Sequence, residues 1–139
     1  MTEWEESEME KKEEAKKEAE GWLRLARKRS GSEEVELEVE CVRKYAEKAG
    51  IDLEAIGTSE EELQEILRRG YEAEARNLLR FARKFGATEV FVNQIQYYVG
   101  MAEITLEDIG TSEEELKRWL GKERESKVKS VFKLFLGLK

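Results

Sequence analysis

The chain contains no histidine and no proline, one cysteine (Cys41), and only two aspartates, Asp52 and Asp108. Each scarcity excludes something. Without histidine, the commonest general base and the commonest transition-metal ligand are gone. Proline averages about 5% of residue usage, so its absence from the whole chain is unusual. One cysteine cannot close an intrachain disulfide, and nothing marks an oxidising compartment. Cys41 reads as a small apolar side chain. Aspartate suits caps and turns, so an acidic complement made almost wholly of glutamate points to helix interiors. No stretch approaches the roughly 18 apolar residues of a membrane span. The acidic opening, "MTEWEESEMEKKEEAKKEAE", has no apolar core and reads as neither signal nor transit peptide, so the expected location is cytoplasmic.

What is present is charge and regularity. The 139 residues fit one domain, and a chain this long buries roughly two-thirds of its unfolded surface without a metal or disulfide. Charged residues make up 41% and hydrophobic residues 40%, a mixture that suits helices with charged outer faces. The net charge of −7 disfavours nonspecific nucleic-acid binding and favours solubility.

The spacing predicts a helix from Thr2 to Arg29. Thr2 and Glu5 form a capping box, and Ala15, Ala19, Trp22 and Ala26 share a face. Only Trp4 and Met9 offer that helix's first dozen residues a core contact. "SGS" (Ser30–Ser32) breaks it. "VELEVEC" alternates like a strand, but the longer pattern Val35, Val39, Val42, Tyr45, Ala46, Ala49 fits one helical stripe with Leu37 off it. We read a helix that ends at Gly50.

Asp52 is placed to cap a single turn ending at Gly57, and Thr58 to cap the next helix with Glu61 three residues on. The apolar run Leu63, Ile66, Leu67, Tyr71, Ala75, Leu78, Ala82, Phe85 then continues through Gly70. That glycine costs about 1 kcal/mol against alanine inside a helix and reads as a close helix–helix contact. Gly86 ends the run and Thr88 caps the next helix. "EVFVNQIQYYVGMAEI" is nearly uncharged and apolar all round, which predicts a central helix surrounded by others; its β-branched and aromatic content also permits a strand. "TLEDIG" repeats the one-turn pattern, and Thr111 is placed to cap a last helical region. Leu116, Trp119 and Leu120 lead to a break near Gly121. Val128, Val131, Phe132 and Phe135 then form another apolar face.

"IGTSEEEL" occurs twice, at Ile56–Leu63 and Ile109–Leu116. The repeat is larger than that. "LRLARK" (Leu23–Lys28) returns as "LRFARK" (Leu79–Lys84), each preceded by "EAE". The unit is long helix, turn, shorter helix and capped joint, with a period of about 55 residues. Repeat-like units cover about 10–57 and 65–110, and a final helical region about 111–137 begins a third, all within one domain of 1–139. The fold expected is all-α: five main helices in antiparallel helix-turn-helix repeats joined by one-turn segments, with a central apolar helix.

Identity is concentrated in short pieces and nearly absent between them. Duplicated genes usually diverge more evenly. With threonines placed at the caps, glutamate-rich first turns, no proline and no histidine, the whole chain resembles computationally assembled all-α proteins built by joining helical fragments. "NQIQYY" and the lone Cys41 look like inheritances from natural parents. That resemblance implies a fold made for its own sake.

No constellation in the sequence carries chemistry. Glu60, Glu61 and Glu62, and again Glu113, Glu114 and Glu115, complement the positive end of a helix dipole. They lack the alternating Asp/Asn pattern of a calcium loop, and a carboxylate di-metal site needs Glu-x-x-His. Single helix-end glycines make no phosphate loop, and Cys41 has no histidine to activate it. Asn93, Gln94, Gln96, Tyr97 and Tyr98 are the one cluster open to a pocket reading; edge positions and satisfied core polar groups account for them better. The basic "KVKSVFKLFLGLK" fits a final helix docking on the core, or a membrane or groove binder. The expectation is therefore no enzyme, no catalytic, cofactor-binding or metal residues, no cofactor and no nucleic-acid or membrane partner. It is a monomer whose self-association would be weak at most. The alternative is a thermophile-like helical module that binds another protein.

Overall fold

The computed structural model describes residues 2–32 and 34–122. These are helical, with no strand among them, so the all-α class holds and both strand readings are excluded. Four helices, α1 (Glu3–Lys28), α2 (Val35–Ala49), α3 (Glu60–Phe85) and α4 (Glu89–Met101), are joined by turns and by two 3-10 segments, Leu53–Ile56 and Glu107–Ile109. A fifth helix, α5, is described over 113–122. It passes through Gly121 without a break, and the apolar positions 128, 131, 132 and 135 lie outside the described residues.

The punctuation follows local chemistry. Thr2 and Glu5 cap α1 reciprocally. Thr88 Oγ1 accepts from the Phe91 N–H to start α4. Gly50 ends α2 in the left-handed region, at φ 66°. The first turns of α1 carry no core residue: Trp4 and Met9 are exposed. There Glu8 meets Lys11 at 3.8 Å.

Contacts divide the chain into two compact units, Met1–Ala73 and Glu74–Lys139. The division falls inside α3, which supplies residues to both. In the first unit α1 packs along α2. Leu23 and Ala26 of α1, Val35, Val39 and Val42 of α2, and Leu63, Ile66 and Leu67 of α3 form its core, with Trp22, Leu53, Ile56 and Tyr71 against it. Gly70 is needed there. A Cβ on it would lie 2.5 Å from Val35 Cγ1 and 2.9 Å from the Ser32 carbonyl oxygen, so only glycine lets α3 pass the start of α2.

The second unit has its own core: Ala75 and Leu79 of α3, Ile95 and Val99 of α4, and Ile109, with Leu78, Tyr98, Ile104, Leu106 and Trp119 packed against it. α4 corrects one expectation. It is apolar all round but buried only along Val92, Ile95 and Val99, while Val90, Tyr97 and Met101 are exposed. Composition alone placed α4 at the centre; its outer face has nothing on it among the described residues.

Candidate functional site

The repeated octapeptide is the strongest candidate for a site, and its two copies build the same structure. Residues Val35–Leu63, from the start of α2 into α3, map onto Thr88–Leu116 residue by residue, and "LRLARK" of α1 maps onto "LRFARK" of α3. In the first copy Thr58 N–H donates to the Leu53 carbonyl at 3.1 Å and Gly57 N–H to Glu54 at 3.0 Å. In the second, Thr111 N–H donates to Leu106 at 3.1 Å and Gly110 N–H to Glu107 at 3.0 Å. Gly57 and Gly110 both sit in the left-handed region, at φ 83° and 87°. A side chain there would be strained.

The repeated polar residues then converge on one carboxylate. Thr58 Oγ1 donates to Glu62 Oε1 at 2.6 Å. Arg27, from "LRLARK", donates from Nη2 to the same oxygen at 2.7 Å and to the Gly57 carbonyl at 2.6 Å. The second copy has the same bonds. Thr111 Oγ1 donates to Glu115 Oε1 at 2.8 Å, and Arg83 Nη2 reaches Glu115 at 2.9 Å and the Gly110 carbonyl at 2.5 Å. The two repeated pieces, distant in sequence, are therefore the two halves of one clamp. The arginine satisfies a carbonyl that the 3-10 segment leaves open and fixes the first turn of the next helix.

Two cap assignments change. The N-cap residues are Ser59 and Ser112, not Thr58 and Thr111. Ser59 Oγ accepts from the Glu62 N–H at 3.1 Å and Ser112 Oγ from the Glu115 N–H at 3.2 Å. Helix α3 begins at Glu60, one residue later than the octapeptide suggests, which moves the N3 glutamate from Glu61 to Glu62. The buried threonines precede the cap and hold Glu62 and Glu115 instead. Asp52 stands at the start of its segment without a side-chain cap bond. In the second copy Thr105 and Asp108 do bond reciprocally, at 2.9 and 3.3 Å.

Electrostatics agree with a structural role. The Thr58 hydroxyl and then Arg27 hold the Glu62 carboxyl below its ordinary range. Burial pushes Glu115 upward, but its bonds from Arg83 and Thr111 outweigh burial and the net direction is again down. Bonds from the Thr105 N–H and hydroxyl lower Asp108. These carboxylates are ionised acceptors with their donors in place, not groups poised to exchange protons near neutral pH. Glu60 is taken by Arg43. Glu61, Glu113 and Glu114 are exposed. Among the described residues no group of three or more Cys, Asp or Glu is arranged to hold a metal.

Asn93, Gln94, Gln96 and Tyr97 are exposed, so they enclose no pocket, and Tyr98 packs on the second core. Tyr97 and Tyr98 stand edge to face, with centroids 5.2 Å apart. Cys41 is a free, half-buried thiol.

One buried group left almost no trace in the sequence. Glu38, on α2, is 2% exposed. Its Oε1 accepts from Arg29 Nη1 at 2.9 Å, and its Oε2 has no partner among the described residues. The alternation in "VELEVEC" treats it like Glu36 and Glu40; the available signal was its helical spacing, three residues after Val35 and four before Val42 on the buried stripe. Among the described residues no helix is long and apolar enough to cross a membrane. The chain matches no protein-family model, and neither a curated protein nor a solved structure matches it significantly.

Proposed function

We propose that this chain is a structural helical scaffold, an assembly of reused helical fragments whose purpose is its fold, with no catalytic step and no cofactor. One observation carries the reading. In the repeated stretch, where a functional signature would lie, Thr58, Ser59 and Glu62 and their counterparts Thr111, Ser112 and Glu115 spend their hydrogen-bonding groups on each other, on Arg27 or Arg83, and on helix ends.

The direct test is modular. Because the two octapeptides are identical, a second copy of residues 64–116 inserted after Leu116 leaves each octapeptide junction intact. The scaffold reading expects the longer chain to fold with undiminished helicity per residue, and expects the parent in dilute solution to be monomeric and to melt above about 90 °C. An insertion variant that unfolds or aggregates, or a parent that melts in the range of about 45–65 °C, would count against it. The alternative, a helical module that binds another protein, is favoured by the apolar stripe of α4, which no other described residue covers.

A further inference from the structure

The second unit carries an apolar face that the first lacks. On α4, Val90, Gln94, Tyr97 and Met101 recur at helical spacing on the side opposite the buried Val92, Ile95 and Val99. Val90 is 64% exposed, Tyr97 59% and Met101 41%. The same positions of α2 are Leu37, Cys41, Lys44 and Lys48. The repeat thus places two lysines where α4 has a tyrosine and a methionine.

We propose that this stripe of α4 is a self-association surface, whose occupant is the same stripe of a second copy of the chain, packed antiparallel about a twofold axis. Charge favours that occupant. The chain carries −7 overall, so most faces of one copy repel the same face of another. The only charged residue of α4 is Glu89, and the stripe itself has none, so two copies meet here without like charges apposed.

The pattern is also self-complementary. Antiparallel pairing sets Val90 against Met101 of the second copy and Gln94 against Tyr97, and then the reverse, as a twofold contact requires. The Gln94 amide and the Tyr97 hydroxyl then meet as hydrogen-bond partners. Area sets the strength. The stripe exposes on the order of 400 Å² per copy, about half of the ~800 Å² that each partner gives a stable dimer. The dimer is therefore weak, with a dissociation constant on the order of 0.1–1 mM.

Sedimentation equilibrium on the full chain tests this. The average mass should rise reversibly from one chain at about 10 µM toward two at about 1 mM. Raising salt should leave the association unchanged or strengthen it, because only the general repulsion is screened. The double variant Tyr97→Lys/Met101→Lys installs the residues of the first copy, which that copy already folds with. It should raise the dissociation constant more than about tenfold while leaving thermal unfolding in dilute solution unchanged.

Three results would each overturn the proposal. One is a parent that stays monomeric at 1 mM, as it would if another segment of its own chain covered the stripe. Another is association that salt weakens. The third is a dimer that survives in Tyr97→Lys/Met101→Lys but is lost in Phe85→Arg, which would move the contact to the exposed Phe81 and Phe85.

Discussion

The two copies agree where they turn and differ where their hairpins begin. At the joints, Arg27 Nη2 with Gly57, Thr58 and Glu62 makes the same bonds as Arg83 Nη2 with Gly110, Thr111 and Glu115. At the hairpin ends, Arg29 and Glu38 of the first copy form an ion pair with Glu38 buried. Their counterparts, Phe85 and Phe91, flank Phe81 in a cluster with centroid distances of 4.6 and 5.3 Å. The joint is fixed by hydrogen-bond geometry that few side chains satisfy. The hairpin end is met differently in each copy, by an ion pair in one and by a partly exposed cluster of aromatic rings in the other. Sequence identity is shared at the joints, in their hydrogen-bonding residues and in the core positions Leu23/Leu79, Ala26/Ala82 and Leu63/Leu116, and it lapses at the hairpin ends.

Breaking the ion pair gives the largest expected effect. Arg29→Leu leaves the Glu38 carboxylate buried without its cation and should cost about 3 kcal/mol in urea unfolding, whereas Arg29→Leu/Glu38→Leu should recover most of that loss. Phe85→Leu, at the exposed counterpart, should cost well under about 1 kcal/mol. Gly70→Ala comes next. It forces a methyl against Val35 Cγ1 and the Ser32 carbonyl and should cost about 2 kcal/mol. Adding Val35→Ala, which removes that Cγ1, should relieve part of the clash.

The joints respond to acid. Glu62 and Glu115 have lowered folded-state values, so their contribution is complete above the ordinary glutamate value of about 4.3 and is lost as pH falls through the folded one. Glu62→Gln/Glu115→Gln should cost about 1 kcal/mol per site at pH 7, the partial exposure of both limiting the loss. It should also flatten the decline in stability between about pH 4.5 and pH 2. The smallest effect is a gain. Glu103 occupies, at φ 57°, the left-handed position that Gly50 fills in the first copy at φ 66°. Glu103→Gly should raise stability by about 0.5–1 kcal/mol, seen as a higher urea midpoint, and Gly50→Glu should lower it comparably.

Much of this was legible in the sequence. Helix type, the glycine stops, the Thr2 and Thr88 caps and the tight passage at Gly70 all follow from local rules, and the duplicated unit from letter identity. The cap shift from Thr58 to Ser59 was not legible, because threonine and serine both cap helices and only the start of α3 decides between neighbours. Arg27 was visible as a repeated letter, but its partner lies thirty residues away across a turn whose path no local pattern fixes. The error over α4 has a similar cause. Apolar composition reports what a helix is able to bury, and the neighbours that bury it are a tertiary fact.

The repeated octapeptide is one structural joint used twice, each copy locked by its own arginine. Amide hydrogen exchange at Thr58 and Thr111, whose N–H groups bond the Leu53 and Leu106 carbonyls, measures this directly. Arg27→Met should accelerate exchange at Thr58 alone and Arg83→Met at Thr111 alone. Both factors should be about fivefold, equivalent to about 1 kcal/mol, and independent in the double variant. Unchanged protection in both single variants, or a loss confined to one joint whichever arginine is removed, would contradict the account.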